Sequence, residues 1–167
     1  MLQLDAIANV ASADLIENGI LVQLVSPGTM DAGGQQPLYL DKEQKLPCRV
    51  KVRSTRCAAF QTLYEQTQRQ GNNTARQTKG DAAKRELVVA QVFKAGRRRQ
   101  FALLTVGFEN VAKDVQGYQP ASEEELLAIY DKPEYQWLVD FVFSVAGDEA
   151  RFGAVPEGNV DGADQKA

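Results

Sequence analysis

The 167-residue sequence contains no histidine and only two cysteines, Cys48 and Cys57. Without an imidazole, the chain has no Ser-His-Asp or Cys-His nucleophilic site, no histidine-ligated zinc or haem, and no histidine pH switch. Two cysteines are too few soft ligands for a zinc site unless carboxylates join them. The sequence therefore predicts a protein without catalytic residues, metal or cofactor, and not an enzyme.

Other signatures of catalysis and nucleotide binding are missing too. Residues 28–34 are rich in glycine but lack the Gly-Lys-Ser/Thr ending of a phosphate-binding loop, and no GxGxxG motif follows a strand. Carboxylates cluster at Glu123–Glu125 and at Asp148–Glu149, where helix capping and a solvated helix end account for them. We interpret both cysteines as core residues, since a reactive thiol would need a depressed pKa.

Targeting signals are also lacking. Met1–Leu4 is followed at once by Asp5, without the basic and apolar regions of an export signal. No stretch approaches the ~20 apolar residues of a membrane span. Cysteines in a chain without a secretory signal are expected to stay reduced. We therefore expect a cytoplasmic protein that does not enter membranes.

The net charge of −3 conceals three segments of opposite sign. Residues 1–48 carry a net charge of −4, residues 49–99 carry thirteen basic and three acidic residues for +10, and residues 100–167 carry −9. The basic middle segment suggests one alternative function, nucleic-acid binding through phosphate contacts. Aromatic residues are poorly interleaved with it, and no zinc-finger, homeodomain or RRM signature appears, so nucleic acid is the less favoured partner.

The N-terminal third predicts a helix followed by strands. Residues 5–18 have helical spacing, with Asp5 as the N-cap and Gly19 placed to end the helix. Three apolar runs then predict the strands of a small antiparallel sheet. These strands span residues 20–25, 38–40 and 46–53.

The third predicted strand has one apolar face and one cationic face. The apolar residues are Cys48, Val50 and Val52, and the cationic ones are Arg49, Lys51 and Arg53. Three basic side chains on one face are suited to binding phosphate or an acidic partner. They are equally typical of a solvated face that keeps a sheet edge from pairing with other chains. The alternation of apolar and basic residues is fully explained by a solvated strand face, so we favour this interpretation over a binding site.

Glycines divide the middle of the chain into two predicted helices. The first begins at Ser54 or Thr55 and ends at Gly71. Residues 71–80 are polar and without periodicity, so they predict a flexible loop.

The second of these helices begins at Asp81 and ends at Gly96. Arg97–Arg99 would then lie at the carbonyl end of the helix dipole, which favours positive charge. Residues 100–111 are strongly apolar, and periodicity does not decide between a helix and a strand.

The C-terminal part contains the clearest helix start in the chain. Ser122 and Glu125 have the spacing of a capping box. Pro133 breaks this helix or starts a new one, and an apolar surface that includes Trp137 and Phe141 follows. Residues 154–167 are small, polar and acidic, and predict a disordered tail.

Five short motifs follow one another along the sequence. A strand-then-turn start is followed by an aromatic-Glu-Asn-Val element at Phe108, a capped helix ending in Tyr, a proline break, a helix carrying Trp137 and a final Asp-x-x-x-Phe. These motifs lie at residues 19–29, 104–111, 122–130, 137–142 and 148–152. In order and spacing they resemble the tail assembly chaperones of long-tailed, siphovirus-like bacteriophages. Phe108 stands where that family often has tryptophan.

The resemblance implies a non-enzymatic assembly factor of the host cytoplasm. Such proteins bind the long, helical and aggregation-prone tape measure protein, help to recruit tail tube protein around it, and are usually absent from the finished virion. A segmentally charged surface suits reversible binding of such a client. Apolar surface around Trp137 and Phe141 would be its counterpart if part of it stays exposed, but packing in the core is the favoured role of these two residues. Two alternatives stay open for the function. One is a structural tail or capsid accessory protein of the virion, and the other is a nucleic-acid-binding accessory protein. Self-association is also left open.

We therefore predict a single α+β domain over residues 1–153. Its small sheet near the N-terminus packs against helices drawn from residues 55–146. The predicted function is protein binding, as a phage tail assembly chaperone. The candidate protein-binding residues are Arg49, Lys51, Arg53, Arg97, Arg98, Arg99, Phe108, Trp137 and Phe141.

Overall fold

A four-stranded antiparallel sheet and five α-helices make up the computed structural model, which describes residues 13–28 and 34–153. The predicted α+β class is confirmed. In chain order the elements are α1 (Ala13–Asn18), β1 (Ile20–Gln23), β2 (Arg49–Val52), α2 (Ala58–Gln77), α3 (Ala82–Leu104), β3 (Thr105–Glu109), β4 (Tyr118–Pro120), α4 (Glu123–Tyr130) and α5 (Gln136–Gly147), with 3-10 turns at Pro133–Tyr135 and Glu149–Phe152.

The sheet has the strand order β1-β2-β3-β4, and each neighbouring pair is antiparallel. Val50 and Val52 of β2 are fully buried on one face, whereas Arg49 and Lys51 are half-exposed on the other. The alternation predicted for β2 is therefore confirmed. The buried face packs against α3 and α5. Central side chains of this core are Phe101, Leu104, Val139 and Val142.

The strand predicted over residues 38–40 is wrong, because this segment makes only isolated bridges. Pro37 pairs with Val25 and Pro47 pairs with Tyr39, each as a single bridge. Leu38 and Leu40 donate to the carbonyls of Leu24 and Leu46 at 2.8 and 2.9 Å, but these bridges do not extend into a continuous ladder. The sheet is completed instead by β3 and β4, which come from much later in the chain. The first and third predicted strands are present but shorter, as β1 and β2.

The flexible loop predicted over residues 71–80 is wrong for most of its length, since α2 continues to Gln77. Gly71 and Gly96, the predicted ends of two helices, lie inside α2 and α3 at the contact between them. A β-carbon at Gly71 would lie 2.6 Å from Cζ of Phe93, and one at Gly96 would lie 2.3 Å from Cγ2 of Thr67. These glycines let the two helices approach closely, although each costs about 1 kcal/mol in helix propensity.

Residues 100–111 contain both a helix end and a strand, joined without a loop. Helix α3 ends at Leu104 and β3 begins at Thr105. The hydroxyl of Thr105 donates to the carbonyl of Phe101 at 2.9 Å. The backbone N–H of Arg53 donates to the carbonyl of Leu104 at 2.8 Å, and its Nη1 donates to that of Leu103 at 3.2 Å. The buried carbonyls at the end of α3 thereby find partners that a free helix end lacks.

Two other local expectations are confirmed. Gly19 ends α1 with a φ of 88°, and its N–H donates to the carbonyl of Leu15 at 2.9 Å. Ser122 and Glu125 form the capping box, each side chain accepting from the backbone N–H of the other. Asp5, the first part of the predicted N-terminal helix and the predicted tail at residues 154–167 lie outside the described residues. Within the described ranges, no helix has the length and apolar character needed to cross a bilayer.

Replacing Gly96 with alanine should destabilise the protein. Thr67 is buried and its hydroxyl donates to the carbonyl of Leu63 at 2.9 Å, so its side chain cannot easily move away from a new methyl group. Overpacking costs about 1–3 kcal/mol, and only up to ~1 kcal/mol is recovered from the helix propensity of alanine. We expect a net loss in the free energy of unfolding, measured by urea denaturation and circular dichroism.

Gly147→Ala is the matched control, since no atom lies within 4 Å of a β-carbon at Gly147 near the end of α5. This variant should be as stable as the original chain or slightly more stable. Equal stability of the Gly96→Ala and Gly147→Ala variants would contradict the close packing of α2 and α3.

Candidate functional site

The nine candidate binding residues do not form one surface. Trp137 and Phe141 share a groove beside α5, and Arg97 reaches the edge of that groove through Asp140. Phe108 lies on β3, paired with Val50, and packs half-buried against the core. The remaining candidates lie on β2, just after it, or on α3.

The groove beside α5 has a volume of about 460 Å³ and an aromatic wall. Trp137 and Phe141 are one helical turn apart, so they project from the same face of α5. Both are half-buried, and each packs against the hydrophobic core while also lining the groove. The rest of the lining mixes apolar and polar residues, which are Val25, Pro27, Gln35, Asp140, Ser144, Val145 and Arg151.

The cationic face of β2 is largely engaged within the protein. Arg49 forms an ion pair with Glu109 of β3, with 3.2 Å between Nη1 and Oε2. The Nζ atom of Lys51 lies 5.8 Å from the ring centroid of Tyr118 on β4. Arg53 does not extend this row, because its guanidinium binds the end of α3 and its Nε is buried without a hydrogen-bond partner. These contacts favour a structural role for the face.

The three consecutive arginines lie inside α3, well before its end at Leu104, so the prediction that they follow the helix is wrong. Arg97 contacts α5, with Nη2 3.7 Å from Oδ1 of Asp140 and its guanidinium carbon 4.2 Å from the ring centroid of Phe143. Arg98 binds Asp131 through two nitrogens, one of them Nε at 2.9 Å. Arg99 is exposed and has no ion pair with any described residue.

Ion pairs connect the basic middle of the sequence with its acidic C-terminal part. Four of them join residues 49–99 to residues 100–153, namely Arg49–Glu109, Arg56–Glu149, Arg97–Asp140 and Arg98–Asp131. Each is partly exposed, so each contributes at most about 1 kcal/mol to stability. Their greater consequence concerns binding. A guanidinium that already faces a carboxylate offers less charge to a phosphate backbone.

Neither cysteine has the surroundings of a reactive thiol. Cys57 is fully buried, and Cys48 is half-buried with its thiol donating to the carbonyl of Asn110 at 3.0 Å. Burial, followed by the charge of Asp41, raises the pKa of Cys48, which disfavours the nucleophilic thiolate. Among residues 13–28 and 34–153, no group of three or more histidine, cysteine or acidic side chains could hold a metal ion.

The acidic start of α4 is engaged in capping. Hydrogen bonds from the backbone and side chain of Ser122 lower the pKa of Glu125. This carboxylate accepts from the Ser122 N–H at 2.9 Å and from its hydroxyl at 2.8 Å. Glu125 is therefore held ionised at the positive end of the helix dipole, where it caps α4.

A second surface was missed from the sequence. Two hollows of about 340 and 360 Å³ lie along α3, and Arg99 lines both of them. The available signal was the 3,4 spacing of Val88, Val92, Ala95 and Arg99, which places them on one helical face. A sequence interpretation that ended the helix at Gly96 could not use that spacing.

Comparison of the chain with protein-family models, curated proteins and solved structures gave no significant match. The functional argument therefore depends on the residues and their geometry.

A double-mutant cycle on Arg98 and Asp131 should measure a favourable coupling. Because Arg98 binds Asp131 through two nitrogens, the coupling free energy should lie at the upper end of the range for exposed ion pairs. We expect about 0.5–1 kcal/mol from the two single alanine variants and the double variant. The coupling should shrink as salt is raised from low to high concentration. The measurement is urea unfolding of all four proteins.

Arg99→Ala is the control for this cycle, because it removes a neighbouring arginine that forms no ion pair with residues 13–28 or 34–153. Its free energy of unfolding should stay within about 0.5 kcal/mol of the original chain. A zero coupling for Arg98 and Asp131 at low salt would contradict charge pairing between the two segments.

Proposed function

We propose that the protein is a non-enzymatic tail assembly chaperone of a long-tailed bacteriophage. In this proposal it binds the tape measure protein and the tail tube protein during tail morphogenesis in the host cytoplasm. Its binding surface includes the groove beside α5.

The observation that carries the proposal is the half-exposed aromatic pair, Trp137 and Phe141, on the wall of that groove. Aromatic anchors surrounded by polar residues are typical of protein–protein interfaces, and tryptophan is enriched among the residues that dominate binding energy. Both rings already pack against the core, so a client would meet a preformed surface. Preorganisation of this kind lowers the entropy cost of association.

The motifs that resemble the chaperone family also support the proposal, because they come together in the fold. Leu126 of α4, Val139 of α5 and Phe152 of the final turn each have no more than 1% of their surface exposed. Helix α3 packs against both α4 and α5, and it continues directly into β3. The segments that resemble the chaperone family thus supply much of the protein's C-terminal packing.

The distribution of charge argues against the nucleic-acid alternative. Arg49, Arg97 and Arg98 each face a carboxylate from the C-terminal part of the chain. With Arg56, four of the thirteen basic residues in the segment 49–99 thus face carboxylates of residues 100–153, which lowers the positive charge that they offer to phosphates. In the alternative in which the protein is a virion component, it remains in the finished particle. Stoichiometric presence in purified particles, measured by mass spectrometry, would favour that alternative over a chaperone.

Trp137 is the only tryptophan in the chain, so its fluorescence reports directly on the groove. We expect a blue shift in its emission when a tape measure fragment from the same phage is added, with the fragment's own tryptophans replaced by phenylalanine. The physical reason is the loss of water around a half-exposed indole. Phe141→Ala should weaken binding by roughly tenfold or more, as for an interface anchor.

Tyr135→Ala is the matched control, since Tyr135 is an exposed aromatic residue nearby that does not line the groove. It should bind the fragment with unchanged affinity. Failure of both the tape measure fragment and the tail tube protein to bind at all would overturn the proposed function.

Binding to duplex DNA at two salt concentrations tests the nucleic-acid alternative. A protein that contacts six to ten phosphates loses roughly 10³–10⁵ in affinity between about 50 and 200 mM salt. We expect weak binding at 50 mM salt in a fluorescence anisotropy titration. Tight binding that falls steeply with salt would instead favour a nucleic-acid-binding protein.

A further inference from the structure

The two hollows along α3 form a second surface, which we call the α3 groove. One hollow lies between α2 and α3, where Val88, Val92 and Ala95 face Thr67. The other lies towards the sheet and α4, where Ala102 and Leu103 face Leu63, Val106 and Leu126. Arg99 lines both hollows, and neither shares a lining residue with the groove beside α5.

The α3 residues that line the two hollows lie along one face of the helix. At 100° per residue, they fall within an arc of about 140° on that face. From Val88 to Leu103 this face extends about 22 Å, at a rise of about 1.5 Å per residue. It therefore runs for about four helical turns, and helix-in-groove recognition uses anchors over such a distance.

The charge of Arg99 differs in its surroundings from that of the two arginines before it in α3. The neighbours Arg97 and Arg98 are neutralised by Asp140 and Asp131, whereas Arg99 faces no carboxylate within 4.0 Å among the described residues. Arg53 also lines the groove without an ion pair in the described part of the chain.

The one acidic residue that lines this groove, in the described structure, is Glu123 near the start of α4. Two guanidinium groups against one carboxylate leave a groove of mixed polar and apolar lining with an excess of positive charge around Arg99. That excess favours an occupant with negative charge at the same place.

We propose that the α3 groove binds an amphipathic helix of a client protein that presents a carboxylate to Arg99 and Arg53. The inference rests on the proposed function and specifies the client segment, which is apolar along one face with an acidic residue near its centre. An arginine and a carboxylate make a charge-assisted hydrogen bond, which is about twice as strong as a neutral one. The apolar side chains in the lining contribute contact area, and the two arginines favour a client segment that carries an acidic residue.

Two designed 20-residue helical peptides provide the probe. They have the same leucine face and differ only at one central position, glutamate in one and glutamine in the other. In fluorescence anisotropy titrations at low salt, the glutamate peptide should bind roughly tenfold or more tightly, in line with the strength of hydrogen bonds between charged groups. Arg99→Gln should remove this preference.

Lys94→Gln is the matched control variant, because Lys94 is exposed on the opposite face of the same helix. It removes the same charge and should leave the preference unchanged. A second variant, Ala95→Glu, fills an exposed position in the α3 groove and adds a repelling carboxylate. It should abolish binding of the glutamate peptide, while urea unfolding verifies that every variant is folded.

Equal binding of the glutamate and glutamine peptides, or a preference that survives Arg99→Gln, would overturn the inference. Its failure is distinguishable from failure of the proposed function. If the tape measure fragment shifts Trp137 emission while the peptides bind equally, the α3 groove proposal fails and the chaperone function stands. If the glutamate peptide binds in an Arg99-dependent way but neither phage protein binds, the groove proposal stands and the chaperone function fails.

Discussion

The direct passage from α3 into β3 is the constraint on which the rest of the structure depends. A helix end inside the protein leaves carbonyl groups without partners, and here Arg53 and Thr105 supply them. Arg53 follows β2 immediately, so the same contacts that complete α3 also fix β2 beside β3. The sheet and the α2–α3 hairpin thereby become one structure, connected by residues 53–57 on one side and by the direct passage from α3 into β3 on the other.

Arg53 has a second consequence at this junction. Its positive charge lies at the negative end of the α3 dipole, which is a favourable place for a cation. Its Nε is nevertheless buried without a partner, and its charge is not matched by a carboxylate in the described residues. An unsatisfied buried donor costs free energy, so the fold retains at the α3 groove a group whose interactions are incomplete. Because Nε itself is buried, the proposed acidic client would act on the charge of the guanidinium as a whole.

Patterns among neighbouring residues in the sequence predicted much of the fold, and the predictions that were wrong have one physical origin. The alternation around Val50, the capping box at Ser122 and the glycine end of α1 each depend on residues within a few positions, and all three are confirmed. Gly71 and Gly96 resemble helix ends locally, but their role is set by Phe93 and Thr67 on the opposite helix. The pairing of β2 with β3 likewise joins residues more than 50 positions apart. No local pattern contains such partners.

The candidate surfaces also differ in whether nearby or distant residues determine them. Trp137 and Phe141 are four positions apart in a helix, so the sequence alone places them together. The α3 groove depends on which arginines are neutralised, and that is decided by Asp140 of α5 and by Asp131, which directly follows α4. Three adjacent arginines with identical chemistry thus acquire different roles: Arg97 and Arg98 hold the C-terminal helices, and only Arg99 keeps its charge for a partner. Five of the thirteen basic residues in the segment 49–99 form ion pairs within the described structure, so the position of an arginine in the fold decides which role its charge takes.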